Sequence, residues 1–297
     1  MEYKKNTFVF IIGCPRSGKT ILHFLLSHHH VFAWFSQYSD RWPQYPFISK
    51  INKIYKLPLF FTARNSIINK HLKILPEPVE AWNIWKRYAP IFGHNMGSLT
   101  ENDVTQKDKQ QLRSIFVKHL EAQNKNMFIT DYGRPCRMLY LNEIFPECKF
   151  IHVLRDGRAV AYEILKAGWL NNITDIRKAL VDVSEEYVNE WLESKKDQRI
   201  AAAIRWKIAI DEINKQKKFI KNFIQIKYED YVNCKWYEVN RILEFLNLEM
   251  DKNLEKAMSH YKLRNMNFLF EKNLSSIDQD IITRSLEVKL VQNGYET

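Results

Sequence analysis

A glycine-containing segment between an apolar run and a helical pattern constrains this chain more than any other feature. The run Thr7–Ile12 reads as a buried strand, and Gly13–Thr20 follows it with the pattern G-x-x-x-x-G-K-T. In this context the glycines let successive backbone amides converge on an anion, and the start of the next helix adds positive dipole character. The segment therefore predicts a phosphate-binding loop, in which Lys19 bridges phosphate oxygens and Ser17 and Thr20 offer hydroxyls.

Further apolar runs indicate the fold class. The four short runs that favour strands are Thr7–Ile12, Met127–Thr130, Lys149–Leu154 and Phe223–Lys227. Helical patterns lie at Thr20–Ser27, Lys107–Gln123, Arg137–Phe145, Gly157–Ala167 and, as one long stretch, Ile173–Lys218. Strands that alternate with helices are typical of a parallel sheet covered on both faces. We therefore expect a three-layer α/β fold with right-handed connections.

Residues 36–106 form a segment of a different kind. The part Ser36–Pro90 is rich in Trp, Tyr, Pro and Asn, and its hydrophobic periodicity is weak. We expect one domain over residues 1–297, with an irregular aromatic-rich insertion at about 36–106. Such a segment on a rigid sheet either carries substrate contacts or covers the sheet as a capping layer, and the sequence leaves both open.

Composition limits the classes of partner. The formal net charge is +11, which suits either an anionic ligand or a lysine-rich surface. No zinc finger, RNP-type aromatic motif or basic helix supports nucleic acid as a partner. The four cysteines lie far apart without a C-x-x-C pair, so we expect no zinc site and a reducing, cytoplasmic location. No apolar run approaches the ~18 residues of a membrane span.

Two kinds of nucleotide chemistry fit the loop taken alone. The first is that of an ATP-dependent phosphotransferase or NTPase, in which Thr20 and a carboxylate at a strand end would hold Mg²⁺. Asp131, directly after the run Met127–Thr130, is placed to supply that carboxylate. The second is group transfer from a nucleotide that carries a phosphosulfate, which binds a loop of the same kind.

Segments beyond the loop favour the second chemistry. In chain order they are Pro15–Gly18, Phe145–Pro146 with Lys149–Ala161, Ile226–Tyr231, Arg241–Leu248 and Val291–Glu296. Together they resemble the sulfotransferase family, and they cover most of the chain except residues 36–106. The resemblance implies a P-loop-NTPase-like sulfotransferase fold, 3′-phosphoadenosine-5′-phosphosulfate as donor and adenosine 3′,5′-bisphosphate as product. It implies no metal, and its default acceptor is a carbohydrate hydroxyl.

The same resemblance implies roles for individual residues. The loop residues that would bind the 5′-phosphosulfate are Arg16, Ser17, Gly18, Lys19 and Thr20. Lys19 and Arg16 would also stabilise the charge that develops during transfer. Arg155 would hold the 3′-phosphate, which a bidentate guanidinium suits. Asp156 caps the following helix in our interpretation, and Arg158 is either a donor contact or a surface residue.

Three positions depart from the family pattern. Lys19 stands where the family usually has Thr, and it restores the full P-loop form. The partner of Arg155 is usually a Ser eight residues later, but here it is Glu163, which must point away, pair with a base or mark a shifted register. The Lys of the segment before the second helix is missing from Thr130–Pro135, and Arg134 is its candidate substitute. Because of these departures, a catalytically degenerate nucleotide-binding module stays an alternative function for this chain.

A general base should deprotonate the acceptor. The candidates are His28, His29, His30, Asp40, Glu77 and Glu80. Gln37 stands about where the family often has a Glu, and an amide cannot act as a base. We favour Glu80, which lies in the aromatic segment beside Trp82. The aromatic residues that either stack on a flat acceptor or belong to the core are Trp34, Trp42, Trp82 and Trp85.

Overall fold

The computed structural model describes residues 6–56, 74–94, 97–132 and 137–297. Five strands form one parallel sheet in the order β2-β3-β1-β4-β5. The strands are β1 (Thr7–Ile12), β2 (Phe32–Ala33), β3 (Met127–Asp131), β4 (Lys149–Leu154) and β5 (Phe223–Lys227). The parallel α/β class and all four predicted strands are confirmed. The two-residue strand β2 was not predicted, because so short a run has no measurable period.

Helices cover both faces of this sheet. The α-helices are α1 (Lys19–Leu26), α2 (Gln37–Arg41), α3 (Trp82–Tyr88), α4 (Pro90–His94), α5 (Gln106–Gln123), α6 (Met138–Ile144), α7 (Gly157–Lys166), α8 (Ile176–Leu180), α9 (Glu185–Glu193), α10 (Gln198–Gln216), α11 (Tyr228–Asn233), α12 (Lys235–Leu246), α13 (Lys252–His260), α14 (Phe268–Asn273) and α15 (Ser276–Gln292). The 3₁₀ helices are Pro46–Lys56, Glu101–Asp103 and Lys217–Phe219. Among the described residues, none of these helices is long and apolar enough to cross a membrane.

The structure divides the long helical stretch predicted over Ile173–Lys218 into separate helices. Three helices, α8, α9 and α10, occupy that stretch. Each break is followed by an N-cap: the side chain of Ser184 accepts from the amide of Tyr187, and that of Asp197 accepts from the amide of Arg199. Such caps satisfy amides that have no partner within the helix, so they start a new helix where periodicity alone suggests continuity.

The central strand β1 explains how the sheet is buried on both faces. Its side chains alternate, so that Phe8 and Phe10 pack into one apolar cluster and Val9 and Ile11 into another. The first cluster is completed by helices that include α5 and α6, and the second by helices that include α1 and α12. A strand that is buried on both sides reads as a continuous apolar run, which is why β1 could be found from sequence.

The carboxyl ends of β1, β3, β4 and β5 meet at one edge of the sheet. Ligands of open parallel sheets bind in the crevice at this edge. The loop that follows β1 leads into α1, and the turn that follows β4 leads into α7. The fold thus brings two motifs that are far apart in the sequence to the same edge. Arg134, the candidate substitute for a missing lysine, lies outside the described residues.

Candidate functional site

A cavity of about 910 Å³ opens at this edge of the sheet, which is a volume suited to a small-molecule site. Its wall includes the loop after β1, the first residues after β4 and β5, part of the segment before α5 and one face of α10. The charged side chains in the wall are Arg16, Lys19, Arg155, Lys166, Arg205, Glu80, Glu163 and Glu212. Cations outnumber carboxylates, and this balance favours an anionic ligand.

The loop after β1 depends on two glycines. Gly13 and Gly18 have positive φ angles of 145° and 96°. A Cβ at Gly13 would lie 2.5 Å from the carbonyl oxygen of Val153, and one at Gly18 would lie 2.6 Å from the ring of Tyr228. Both positions therefore require glycine, for conformation and for space. The loop is packed against the neighbouring strand ends, and its backbone is fixed before any ligand binds.

Lys19 begins α1 and lies across the loop. Its Nζ donates to the carbonyl oxygens of Gly13 at 3.0 Å and Cys14 at 2.9 Å. The side chain is buried but belongs to the cavity wall. Burial lowers the pKa of Lys19, while the carboxyl groups of Glu80 and Asp131 oppose that shift. Lys19 is thus a preorganised cation that can exchange its carbonyl partners for an anion.

The two loop hydroxyls have different surroundings. Ser17 is buried and outside the described cavity wall, and its amide donates to the carbonyl oxygen of Cys14 at 3.2 Å. Thr20 is in the wall, and its hydroxyl donates to Oδ2 of Asp131 at 3.2 Å. Asp131 ends β3, and its Oδ1 lies 2.8 Å from Nδ1 of His23. Burial alone would raise the pKa of Asp131, but the charge and hydrogen bond of His23, with the charge of Lys19 and the hydrogen bond of Thr20, together outweigh it, and the pKa is lowered.

Glu80 shares the cavity wall with Lys19. Its Oε2 accepts from Nε1 of Trp82 at 2.8 Å, and its carbonyl oxygen accepts from Nε1 of Trp85 at the same distance. Burial raises the pKa of Glu80, the charge of Asp131 adds to the shift, and Lys19 opposes it. A half-buried carboxyl group with a raised pKa beside a cation is a good candidate for a group that accepts a proton.

Arg155 follows β4 and is held on three sides. Its Nε donates to Oδ1 of Asn267 at 2.9 Å, and its Nη1 donates to the carbonyl oxygen of Arg16 at 2.7 Å. The guanidinium carbon lies 4.4 Å from the ring centroid of Tyr228. Within the described part of the chain, the buried Nη2 has no hydrogen-bond partner. Because Arg155 lines the cavity, this unpartnered nitrogen is a candidate donor for an anionic ligand.

Among the residues that follow Arg155, some stabilise α7 and others line the cavity. Asp156 caps α7, since its Oδ1 accepts from the amide of Arg158 at 2.8 Å, and the cap prediction is confirmed. The Arg158 guanidinium bonds the same carboxylate and lies over Phe270, outside the described wall. Glu163 does line the cavity. It therefore borders the same space as Arg155.

The other predicted bases lie elsewhere. Those outside the described cavity wall are His28, His29, His30, Asp40 and Glu77. The ring of His29 donates to the carbonyl oxygen of Glu249 at 2.8 Å, and Asp40 accepts from the amide of Asn83 at 2.7 Å. These contacts tie turns and helix ends together. The structure therefore leaves Glu80 as the one predicted base that reaches the described cavity.

Aromatic residues divide between core and cavity. Trp34 and Trp85 are fully buried in the core clusters. Trp42 is 39% exposed and stacks on Tyr38, away from the described wall. Trp82 lines the cavity, so it is the predicted aromatic residue placed to contact a ligand.

Sequence reasoning missed one group of wall residues around Trp169. The guanidinium carbons of Arg16 and Arg205 lie 4.8 Å and 5.4 Å from the centroid of this ring. Arg205 and Glu212 share one face of α10 with the apolar wall residues of that helix. Their seven-residue spacing was a usable signal for a shared face, but nothing in the sequence shows that this face borders a cavity.

Comparisons with known proteins agree on one family. A family model described as "Sulfotransferase family" matches residues 9–252, which is well over half of the chain. Protein-tyrosine sulfotransferase A of Caenorhabditis elegans is 21% identical over 267 residues, covering 88% of this chain and 54% of that protein. The chain thus spans about half the length of this curated relative.

Two solved structures share the fold. Sulfotransferase STF9 from Mycobacterium avium has a TM-score of 0.56 at 13% identity, over 98% of this chain and 78% of that one. Sulfotransferase STF1 from Mycobacterium tuberculosis H37Rv has a TM-score of 0.55 at 12% identity, over 95% and 76% of the two chains. At such low identity these two structures show the fold alone. Taken with the family model, and with two cationic motifs at one edge of the sheet, the comparisons establish that the chain belongs to the sulfotransferase family.

Proposed function

We propose that this protein transfers a sulfuryl group from 3′-phosphoadenosine-5′-phosphosulfate to an acceptor hydroxyl. The observation that carries the proposal is the pair of cationic groups at the ends of neighbouring strands. Lys19 after β1 and Arg155 after β4 line one cavity. A nucleotide with phosphate groups at both its 5′ and 3′ positions requires two such groups at separate places.

The residues present fit this donor. Gly13 and Gly18 allow the positive φ angles of the loop and its close packing against Val153 and Tyr228, which fix the loop amides that would face a phosphate. Lys19 and the hydroxyl of Thr20 would bind the 5′-phosphosulfate. The buried Nη2 of Arg155 would bind the 3′-phosphate. The proposal needs no metal, because these groups already meet the donor's charge.

The transfer itself is an in-line displacement. The acceptor oxygen forms a bond to sulfur as the bond between sulfur and the bridging oxygen breaks, and adenosine 3′,5′-bisphosphate leaves with the electron pair. Glu80 would take the proton of the acceptor hydroxyl. Lys19 would stabilise the charge that develops on the bridging and equatorial oxygens, with Arg16 as a second cation at the mouth. The product acceptor then carries the sulfate ester.

A second candidate function, ATP-dependent phosphotransfer, rests on one specific contact. The hydroxyl of Thr20 lies 3.2 Å from Oδ2 of Asp131, at the end of the strand beside β1. This is the pair that holds Mg²⁺ in P-loop enzymes. In this protein both oxygens of Asp131 accept hydrogen bonds from side chains, one from Thr20 and one from His23. A carboxylate engaged in this way is less suited to a metal than a free one, so we favour sulfuryl transfer.

Ligand-induced stabilisation separates the two functions. A ligand that binds only the folded protein adds about 2.7 kcal/mol to the free energy of unfolding at 100 times its Kd, and it therefore raises Tm. We expect adenosine 3′,5′-bisphosphate to raise Tm by several degrees and ATP with Mg²⁺ to have a smaller effect. The measurement is a thermal unfolding scan at equal ligand concentrations. A shift with ATP and Mg²⁺ alone would replace the sulfotransferase proposal with the phosphotransferase.

Arg155→Ala should raise the donor KM by about tenfold to a hundredfold, because it removes a charge-assisted contact to the 3′-phosphate. Glu163→Ser should act in the opposite direction and lower that KM, since it removes a carboxylate from the same wall. Steady-state kinetics at varied donor concentration measures both effects. Arg284→Ala is the matched control, because Arg284 is exposed and pairs only within α15 among the described residues. An unchanged donor KM in Arg155→Ala would show that the 3′-phosphate site is misassigned.

The acceptor is the least constrained partner. The carbohydrate hydroxyl that the resemblance implies stays our proposal, and a tyrosine side chain, a lipid or a small metabolite are its alternatives. Mass spectrometry across an acceptor panel, looking for the gain of one sulfuryl group, tests it directly. Transfer to any acceptor would also exclude a nucleotide-binding module without activity. The cytoplasmic location expected from the cysteines stays a prediction.

A further inference from the structure

Glu229 joins three parts of the chain around Arg155. Its Oε1 accepts from the amide of Asp156 at 3.0 Å and from Nδ2 of Asn267 at 2.5 Å. Its Oε2 accepts from the hydroxyl of Tyr295 at 3.1 Å. One carboxylate therefore links the turn after β4, the residue before α14 and the segment after α15.

Asn267 transmits this arrangement to Arg155. Its Oδ1 accepts from Nε of Arg155 at 2.9 Å while its Nδ2 donates to Glu229. Only one orientation of the amide serves both neighbours, because a guanidinium only donates and a carboxylate only accepts. Glu229 thus fixes the orientation of the Asn267 amide, and the amide oxygen in turn fixes the position of Nε of Arg155. With Nε and Nη1 engaged in this way, Nη2 is the nitrogen left for a ligand.

Tyr295 holds the far end of this network. Lys227 lies 4.6 Å from the centroid of its ring and donates to the carbonyl oxygen of Gly294 at 2.8 Å, so the segment is fixed beside β5. Burial and the charge of Glu229 raise the pKa of Tyr295 well above its usual value. The phenol therefore keeps its proton and donates to Glu229 throughout the neutral range.

We propose that Tyr295 is a positioning residue for donor binding, which acts through Glu229 and Asn267 to orient Arg155 toward the 3′-phosphate. Tyr295 itself is outside the described cavity wall, so it acts without touching the ligand. The inference rests on the proposed function, because it concerns the same donor site. It also gives the Tyr228-Glu229 motif a physical role: Tyr228 supports the face of the guanidinium, and Glu229 fixes its edge through Asn267.

Isothermal titration of the full chain with adenosine 3′,5′-bisphosphate tests this inference. Tyr295→Phe removes one hydroxyl, and we expect Kd to rise about threefold to tenfold with kcat at saturating donor unchanged. The matched control is Tyr237→Phe, because Tyr237 is 65% exposed on α12. Combining Tyr295→Phe with Arg155→Ala should weaken binding no more than Arg155→Ala alone, since both changes remove the same contact.

Several results would overturn the inference. Tyr295→Phe binding the ligand as tightly as wild type would do so, as would a full additive loss in the double variant. A fall in kcat with unchanged Kd would assign Tyr295 to another role. Wild-type protein that does not bind adenosine 3′,5′-bisphosphate would instead overturn the proposed function, and this inference with it. The two failures are therefore distinguishable in one titration series.

Discussion

Replacing Lys19 with alanine should lower kcat by about 10²-fold to 10³-fold, which is the usual cost of losing one preorganised donor to a developing oxyanion. Lys19 is held at the start of α1 by two carbonyl oxygens of the loop, so its position is fixed before the donor binds. Its stabilisation acts on charge that grows during the reaction. The effect should therefore appear in kcat more than in the donor KM.

The experiment compares Lys19→Ala with Lys256→Ala in steady-state assays of sulfuryl transfer. Lys256 is an exposed residue of α13, far along the chain from the loop. The Tm of each variant, with and without adenosine 3′,5′-bisphosphate, shows whether the loop still folds and binds nucleotide. Unchanged turnover in Lys19→Ala would remove Lys19 from the mechanism, whatever its effect on binding.

The sheet could be predicted because its inner strands are buried on both faces. Runs such as Thr7–Ile12 and Lys149–Leu154 are mostly apolar, and helical patterns separate them. The breaks within Ile173–Lys218 could not be found in the same way, because hydrophobic periodicity continues across them. The caps at Ser184 and Asp197 were the available signal, and they depend on single residues rather than on a repeating pattern.

The candidate site also contains residues that could be predicted from the sequence and residues that could not. Lys19 and Arg155 belong to local motifs whose residue types are set by phosphate chemistry, so they could be named from sequence. Asn267 carries no local pattern, and the patterns that contain Arg205 and Tyr295 do not show that these residues lie at or near the site. Their positions follow from tertiary packing, and the spacing of residues in a single sequence does not show which distant segments pack together.

Glu80→Gln should lower kcat by about 10²-fold to 10⁴-fold, the usual contribution of a general base. The pH dependence gives a sharper expectation. Glu80 is active when deprotonated, and burial raises its pKa above the ordinary value of 4.5. Activity of the wild-type protein should therefore fall with decreasing pH. The midpoint of this acidic limb of the pH profile should lie above the ordinary pKa of a glutamate. Burial lowers the pKa of Lys19, so activity should fall again at high pH, below the ordinary 10.5 of a lysine, as its charge is lost.

A profile of kcat against pH at saturating donor separates a base from a structural carboxyl group. In Glu80→Gln the residual activity should no longer show the acidic limb, because the amide does not titrate, while the alkaline limb should persist. Glu287→Gln, an exposed substitution on α15, should keep both limbs. An acidic limb that survives in Glu80→Gln would assign the proton to another group. Asp131, whose charge already acts on Glu80, is then the candidate, and its lowered pKa would place the limb at a lower pH.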